Sequence, residues 1–530
     1  MKTIRLIRES LLFVAALTLV ACASEDTQQK DETKQPETKY VASFIGHQPK
    51  VKAPAKSRTT ATYTIGNPAQ VLWEATDKIW VKADDGNFYQ SDAANFAASA
   101  TPTDHSRAKF SLTTGSYMKL NPEVRYTGAN TDANTVVIAS TQSQGAPNNF
   151  SHLGTAGDCG AAFAQGGGND HEFILRHKAS YLCFLPRCMN TQLGPNINLT
   201  KITVTADKDI AGTYDFSNGS LMGKTPTGGS KSITLTLDGG NGFTLNTTTA
   251  NLSMNGAYMV IAPGTYNLTI SYTLKDVNGV SGDITKELNG FTCPEGDIRD
   301  ITANLTPPPT PNIPAPKYYM WDAKQDYWYG HLKPDGTPDG NYPQNNSDPR
   351  WFHEGHDNWT IYQNMFSCKD CPNVNEMIWY ALKGDAREGG LAVDNGHLKI
   401  IKGIWLKKKA KIMADEQISE AQMKNGYPKE NPVNWGATGV FLLNTSFTAR
   451  KVSVPNTTDY FFLPEPPGYY YYGWLYTSQS GGYWTSQKNN LYTIQDFAYC
   501  LCFGAYDGVY NGAIEETWPC DRAMCARAFE

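Results

Sequence analysis

The chain has little charge and no excess of basic residues. Charged residues make up 18% of its 530 residues, and 46 Lys and Arg against 51 Asp and Glu leave a net charge of −5. Proteins that bind nucleic acid or anionic lipid through charge need a basic surplus, so this composition excludes nucleic acid as a partner. After residue 22 there is also no run of 18 or more apolar residues, so we expect no membrane-spanning helix there.

Common active-site signatures are missing as well. The chain has no P-loop, no dinucleotide-binding glycine motif and no Gly-x-Ser-x-Gly. His353 and His356 are three residues apart, which is not the spacing of a His-Glu-x-x-His zinc site, and Cys368-x-x-Cys371 has no second such pair. The sequence therefore predicts no enzyme activity, no cofactor and no metal site.

Two sets of residues leave alternatives open. Ten of the 11 cysteines follow the N-terminal segment, which fits an exported protein in which some of them pair, but spacing cannot decide the connectivity. A loop rich in Asp, Asn, Gly and Pro could bind calcium or be a plain turn-rich loop, and its spacing does not match an EF-hand. Its acidic residues are Asp335, Asp339 and Asp348.

The first 22 residues are a targeting segment. Basic residues precede the apolar stretch Leu11–Leu19, and the segment ends in Leu-Val-Ala-Cys22. This ending resembles a bacterial lipobox, which implies that Cys22 is lipidated and anchors the protein in the outer membrane. Residues 23–39 are polar and charged, which predicts a disordered tether. Their acidic start resembles the export tag of surface-exposed lipoproteins.

The tract Thr306–Pro316 divides the rest of the chain. Six prolines in its eleven residues favour an extended spacer between two independently folded parts. The part before it has two tryptophans and the part after it has ten. We expect these segments: signal peptide 1–22, tether 23–39, first β-sandwich 40–194, second β-sandwich 195–305, linker 306–316 and an aromatic-rich domain 317–530.

The part before the linker consists of short strands between turn residues. The clearest strand is Glu172–Leu185, in which alternate apolar residues share one face. His177 falls on that inward face, where a hydrogen-bonded core or edge histidine is the favoured interpretation. Asn-Gly and Asp-Gly pairs separate the later strands. These patterns predict a mainly β fold with two sandwich-like units.

The order of these segments resembles the fimbrillin family, the pilin and accessory lipoproteins of type V pili. The matching residues are Cys22, Arg58-Thr59, Val71–Trp80, Phe173–Lys178, Gly256–Gly264 and Ile298–Leu305.

This resemblance implies two transthyretin-like β-sandwiches and a mechanical function. In the family an arginine-specific protease removes the lipid and the first strand, and the vacated groove accepts a strand from a neighbouring subunit. The removed strand here would be Tyr40–Ile45 and its surroundings. Arg58, followed by Thr59, would be the cleavage position, unless it is one solvated residue in a loop. The implied partners are other fimbrillin-type subunits.

The part after the linker is of another kind. Asn373 and Glu376 form a capping-box pattern before the apolar periodicity that ends near Gly384, which predicts a helix there. Asp415–Asn425 is a weaker helix candidate, and Gly439–Leu443 is a predicted strand. Later segments resemble the Fibrobacter major paralogous domain, which implies an α+β, C-type-lectin-like fold. They are Asp459–Pro464, Gly468–Gly473, Gly482–Ser486, Ala498–Phe503 and Arg522–Arg527, with a departure at Thr485.

A cluster of aromatic residues between positions 469 and 484 needs an explanation. Its residues either form a surface that stacks on sugar rings or protein partners, or fill the core of a β-rich domain. The candidates for ligand binding are Trp474, Tyr476, Tyr483 and Trp484. The first two follow Gly473 in a predicted turn, which makes them the preferred pair.

Three functions follow from these observations. The first is a surface-exposed, fimbrillin-like lipoprotein that serves as a tip or accessory subunit of a pilus and adheres through its C-terminal domain to a surface glycan or protein. The second is a glycan-capturing surface lipoprotein of a nutrient-uptake system that forms no fibre. The third, a hydrolase, has no nucleophile or metal constellation to support it.

Overall fold

The computed structural model describes residues 40–49, 61–66, 70–96, 105–354, 365–438, 445–477, 481–489, 496–507 and 509–530. Strands account for 43% of the structure and helices for 9%, so the predicted mainly β class is confirmed. Within the described ranges, no helix combines the length and the apolar character needed to cross a membrane.

The strands of the chain up to residue 177 are β1 (Ala42–His47), β2 (Ala61–Thr62), β3 (Gln70–Val71), β4 (Trp80–Lys82), β5 (Phe88–Gln90), β6 (Arg107–Leu112), β7 (Glu123–Tyr126), β8 (Thr135–Ile138), β9 (Thr141–Gln144), β10 (Gly160–Phe163), β11 (Gln165–Gly167), β12 (Asp170–Ile174) and β13 (Arg176–His177). From there to the proline-rich tract they are β14 (Ser180–Arg187), β15 (Ile197–Ala206), β16 (Ala211–Asp215), β17 (Thr227–Ser230), β18 (Ser232–Leu237), β19 (Phe243–Thr244), β20 (Ala257–Ile261), β21 (Gly264–Asp276), β22 (Ser281–Cys293) and β23 (Ile298–Asn304).

The strands after the tract are β24 (Tyr318–Tyr319), β25 (Arg387–Asp394), β26 (His397–Lys407), β27 (Phe447–Thr448), β28 (Tyr460–Pro464), β29 (Tyr469–Tyr471), β30 (Trp474–Tyr476), β31 (Gly482–Asn489), β32 (Phe497–Tyr506), β33 (Val509–Pro519) and β34 (Met524–Cys525). The helices are α1 (Leu153–Ala156), α2 (Leu252–Asn255), α3 (Val374–Lys383), α4 (Lys409–Glu416), α5 (Glu420–Asn425) and α6 (Trp435–Thr438), with 3₁₀ turns at Gly194–Asn196 and Asp238–Gly240.

The first sandwich packs two sheets around an aromatic core. One sheet has the order β11-β12-β1-β6 and the other has the order β13-β10-β7-β4-β5. Alternate residues of β1, β6 and β12 point inward, as the period of two requires. Phe44, Phe110 and Phe173 from the first sheet meet Val81 and Tyr126 from the second in one buried cluster.

The second sandwich includes strands from before the expected boundary at residue 195. Its sheets are β22-β21-β15-β18-β9, β20-β14-β23 and β17-β16-β8, so β8, β9 and β14 all belong to it. The chain therefore passes between the two units more than once, and the predicted boundary does not coincide with the sheets.

The long strand expected at Glu172–Leu185 is divided among three sheets. Its residues form β12, β13 and β14, with Leu175 and Ala179 buried where the chain changes sheet. The apolar residues do alternate along this segment. Those of its first half face the core of the first sandwich, and those of its second half face the core of the second sandwich.

The part after the tract combines two larger sheets, a hairpin and helices α3–α6. The sheet orders are β24-β34-β31-β32-β33-β27 and β25-β26-β28, and the hairpin is β29-β30. The capping box is confirmed: the Asn373 side chain accepts from the Glu376 N–H at 2.9 Å, and α3 ends before Gly384. The weaker helix candidate is instead split into α4 and α5 at Gln417, whose φ is 54°. The predicted strand Gly439–Leu443 lies outside the described residues.

The proline-rich tract is extended, as predicted, but it does not act as a free spacer. The N–H of Val393 donates to Pro308 O and the N–H of Thr310 donates to Val393 O, both at 2.8 Å. Leu391, Val393 and Leu398 join the core of the second sandwich. The two parts therefore pack against each other along the tract.

Candidate functional sites

Strand β1 occupies the middle of its sheet. It pairs with β12 in parallel and with β6 in antiparallel orientation, so that Phe44 lies opposite both His171 and Phe110. A central strand uses the hydrogen-bonding groups on both of its edges. Removing β1 would leave β6 and β12 with facing, unpaired edges.

The inward side chains of β1 fill the core of the first sandwich. Ala42 and Phe44 are buried, and Phe44 stacks on the His171 ring with centroids 4.6 Å apart while Tyr117 meets it edge-on at 5.5 Å. Full burial of one phenylalanine side chain contributes about 1.5–3 kcal/mol. The space that β1 fills is therefore an apolar trench. The predicted first strand Tyr40–Ile45 overlaps β1 from Ala42 to Ile45, and the observed strand continues to His47.

A buried polar network holds the C-terminal end of β1. The Gln48 side chain lies 3.0 Å from His177 Nε2, and His177 Nδ1 lies 2.9 Å from an Asp158 carboxylate oxygen that also accepts from the Tyr181 hydroxyl. The inward position predicted for His177 is confirmed, and the residue is hydrogen-bonded. Tyr181 belongs to β14 of the second sandwich, so the network connects the end of β1 in the first sandwich with the second sandwich.

The charges around His177 favour its protonated form. Burial alone lowers the pKa of His177, but the charge and hydrogen bond of Asp158, with the charge of Asp77 added, outweigh burial and raise it. Burial raises the pKa of Asp77 itself to about 6, despite the hydrogen bond that it accepts from Tyr126. Both Gln48 Oε1 and the Asp158 carboxylate are acceptors, so a doubly protonated imidazole satisfies both contacts.

The predicted lipidation and processing residues lie outside the described ranges. These residues are Cys22, Arg58 and Thr59. Arg58 and Thr59 follow β1 along the chain and precede β2, so a cut at this position would separate β1 from the rest of the polypeptide.

The trench that β1 fills is the first candidate site. The second is the hairpin β29-β30, which we call the aromatic hairpin (Tyr469–Tyr476). Tyr471 pairs with Trp474 across the two-residue turn, where Tyr472 and Gly473 have φ values of 47° and 82°. Positive φ at both turn residues is the geometry of a type I′ turn. Trp474 is 73% exposed, Tyr472 57% and Tyr476 38%, so the preferred candidates Trp474 and Tyr476 do lie at the surface.

The body of the protein holds the hairpin in place. Tyr470 packs flat on Tyr327 with centroids 5.5 Å apart and edge-on against Trp328. The Gly473 N–H donates to the Tyr327 hydroxyl at 3.0 Å, and the Arg522 guanidinium lies 3.1 Å above the centre of the Tyr471 ring. The exposed rings are thus presented on a fixed support, which suits stacking on a ligand.

Two of the predicted ligand-binding aromatics are core residues. Tyr483 is 2% and Trp484 0% exposed, and both belong to β31 inside the six-stranded sheet. The Tyr483 hydroxyl donates to Pro464 O and the Trp484 indole donates to Tyr319 O, each at 2.8 Å. These positions correct the prediction, because a ring enclosed in this way cannot meet a ligand.

Three residues of the hairpin surface were not among the predicted site residues: Tyr342, Tyr472 and Arg522. The Tyr342 ring meets the exposed Tyr472 ring edge-on at 6.1 Å, and Arg522 covers Tyr471 from the other end of the chain. Tyr472 could have been singled out from its position before Gly473 in a short turn. Tyr342 and Arg522 are distant in sequence, and only the folded chain brings them to the hairpin.

The cysteines and the aspartates of the turn-rich loop pack or hydrogen-bond within the protein. The ten cysteines of the described part are buried thiols rather than disulfides, and five of them pack in one cluster with Trp321 and Trp484. Asp335 accepts from Thr337, and Asp348 pairs with Arg350 at 2.7 Å. Among the residues described, no group of three or more His, Cys, Asp or Glu side chains is arranged to hold a metal ion.

Comparison with known proteins gives structural neighbours only. No protein family matches the chain, and no curated protein matches it. A candidate cell adhesion protein from Bacteroides ovatus is 15% identical, with 50% of this chain and 93% of that chain covered at a TM-score of 0.31. One from Bacteroides uniformis is 16% identical, with 51% and 95% covered at 0.30. A fimbrial protein from Bacteroides ovatus is 9% identical, with 53% and 52% covered at 0.21.

Proposed function

We propose that this protein is a fimbrillin-like surface lipoprotein that serves as a tip or accessory subunit of a type V pilus. In this role it loses β1 by cleavage at Arg58, accepts a strand from a neighbouring subunit and adheres through its C-terminal part. The observation that carries the proposal is the position of β1. It is the first strand of the described chain, yet it is central in its sheet and fills an apolar trench.

Strand replacement follows from this position. Without β1, the facing edges of β6 and β12 expose unpaired N–H and C=O groups, and the apolar core side chains beneath β1 become exposed. An extended segment from another chain would restore both the hydrogen bonds and the burial of apolar area. Lipidation at Cys22 would keep the precursor at the outer membrane until that exchange.

The chain is better suited to accept a strand than to donate one. The residues after β23 would form the donated strand in a stalk subunit, but here Pro308 and Thr310 already bond to Val393 in β25. Prolines in this tract remove backbone donors that a donated strand would need. A terminal or accessory position fits a subunit of this kind.

The aromatic hairpin supports the adhesive role. Tyr472 occupies a left-handed backbone position, where Asn or Gly is favoured and a tyrosine costs stability. Strained positions of this kind concentrate at functional sites. We therefore assign the exposed rings of Tyr472, Trp474 and Tyr476 to contact with a surface glycan or protein, and we assign no catalytic role to the chain.

The processing step is tested with the purified full-length precursor. Incubation with an arginine-specific protease should release the N-terminal fragment and allow a complex with a stalk fimbrillin, whereas an Arg58→Ala variant should do neither. Mass spectrometry identifies the cut, and native gel electrophoresis detects the complex. A wild-type precursor that remains whole, or that forms the complex without being cut, would contradict this mechanism.

A second candidate function is glycan capture at the cell surface without a pilus. The observation that favours it is the aromatic hairpin, whose exposed rings need no strand removal to meet a ligand. A glycan array with the full chain and a Trp474→Ala variant, run beside a pull-down of pilins, separates the two functions. Glycan binding that depends on Trp474, with no pilin recovered, would favour nutrient capture.

A further inference from the structure

The trench that β1 fills has no room for a side chain at one position. A Cβ placed on Gly46 would lie 2.6 Å from Phe173 Cζ and 3.0 Å from both Phe110 Cε2 and Trp73 Cζ2. All three rings are buried, and the indole of Trp73 donates to Gly46 O at 3.1 Å. We call these rings the aromatic box (Trp73, Phe110 and Phe173).

The rings of the aromatic box hold one another in place. Trp73 meets Phe110 edge-on with centroids 4.9 Å apart, and it meets Phe173 in the same way at 6.3 Å. Protein interiors are close-packed, so an added methyl group in such a place forces side chains out of their preferred positions. A strand with alanine at this position would have to displace at least one ring.

Two residues earlier, the trench requires an aromatic ring. Phe44 covers the face of His171, a buried imidazole whose two nitrogens have no hydrogen-bond partner among the residues that the structure describes. Without a ring opposite His171, this imidazole and the Tyr117 ring would border a cavity. A cavity in a packed core costs stability in proportion to its volume.

The outward positions of β1 restrict the choice of side chain less. Ser43, Ile45 and His47 are only partly buried, and His47 Nε2 lies 3.8 Å from a carboxylate oxygen of the exposed Glu172 side chain. The selectivity of the trench therefore lies in the inward positions of Ala42, Phe44 and Gly46.

We propose that the strand which replaces β1 carries a small residue, an aromatic residue and a glycine at alternate positions, in the register of Ala42, Phe44 and Gly46. The proposal rests on strand replacement as the proposed function, and it names the partner of that groove. The partner is a surface protein with an extended segment of the pattern small-x-aromatic-x-glycine. The aromatic box determines this choice by excluding every side chain at the third position.

The test uses the full chain with a specific protease site inserted between residues 50 and 58, so that β1 can be released whether or not Arg58 is a natural cleavage position. Labelled peptides with the sequence of residues 40–49 compete for the groove after the cut. Four peptides are compared: the unsubstituted sequence, Gly46→Ala, Phe44→Ala, and Ile45→Ala as the outward control.

We expect the unsubstituted and Ile45→Ala peptides to bind alike, and the Gly46→Ala and Phe44→Ala peptides to bind about tenfold or more weakly. A Phe173→Leu variant of the protein removes the ring atom nearest to the added methyl group, so it should recover binding of the Gly46→Ala peptide selectively.

The outcomes are distinguishable. If all four peptides bind equally, or if Phe173→Leu recovers nothing, the pattern is wrong while strand replacement stands. If even the unsubstituted peptide cannot enter the groove, strand replacement itself fails, and the pattern fails with it.

Discussion

Strand β1 and the aromatic hairpin are both short β segments rich in apolar residues, but they have opposite surroundings. The inward residues of β1 are enclosed by two sheets, whereas the hairpin packs one side on the six-stranded sheet through Tyr469 and exposes Tyr472 and Trp474. In β1, burial explains the inward residues, because Ala42, Phe44 and Gly46 each fit a defined space. In the hairpin, the exposed rings add nothing to the core, so their presence points to contact with another molecule.

The largest expected difference between the two regions is in stability. Phe44→Ala should lower the free energy of unfolding of the first sandwich by about 3–5 kcal/mol, because it leaves a cavity beside His171 and Tyr117. Trp474→Ala should change it by less than about 0.5 kcal/mol, since that side chain is mostly exposed. Denaturant unfolding of both variants, followed by hydrogen exchange, measures the difference. Similar losses in the two variants would remove the contrast between the regions.

A smaller effect is expected from the network at the end of β1. The pKa of His177 is raised in the folded protein, so its stabilising contribution is complete below the unfolded pKa of about 6.5 and is lost as pH rises through the folded pKa. A hydrogen bond to a charged group contributes about 1.5–3 kcal/mol. We therefore expect the free energy of unfolding to be larger at pH 6 than at pH 9, as measured by denaturant unfolding at the two pH values.

The matched control is His177→Gln, which removes the titration. The free energy of unfolding of this variant should depend much less on pH across the same range. Asp77 contributes at lower pH and with the same sign: its raised pKa of about 6 makes its contribution complete below about pH 4 and lost by about pH 6. An unchanged pH profile in His177→Gln would show that the titration of His177 does not stabilise the fold.

The smallest expected effect is at the hairpin turn. Tyr472→Asn should raise stability by about 0.5–1 kcal/mol, because asparagine tolerates the left-handed backbone better than tyrosine does. The same change should weaken ligand binding, since it removes an exposed ring. Thermal unfolding measures the gain in stability. A binding assay with a glycan that the unsubstituted protein binds measures the loss of binding. Trp474→Ala is the control, because it should weaken binding without a gain in stability.

Features that depend on neighbours along the chain could be predicted from the sequence. The capping box of Asn373 and Glu376, the turn at Gly473 and the inward side of His177 are all confirmed by the structure. Each depends on residues a few positions apart, whose geometry is set by backbone dihedrals and the period of two or 3.6. The mainly β class follows from the same local patterns.

Burial and partnership could not be predicted in this way. The aromatic run that includes Trp474, Tyr476, Tyr483 and Trp484 reads alike in sequence, but β31 lies inside a six-stranded sheet and β30 does not. The alternation across Glu172–Leu185 likewise continues unbroken while the chain changes from one sandwich to the other. What covers a side chain is decided by strands that are far away in sequence.

The sequence by itself determined a mainly β protein with an aromatic-rich C-terminal part, because turn residues and apolar alternation act over a few positions. Only the tertiary structure placed β1 at the centre of a sheet, enclosed Gly46 in the aromatic box and seated Pro308 and Thr310 against Val393. Those contacts join residues that are tens of positions apart. Their energies come from packing and shared hydrogen bonds, which exist only once the sheets have met.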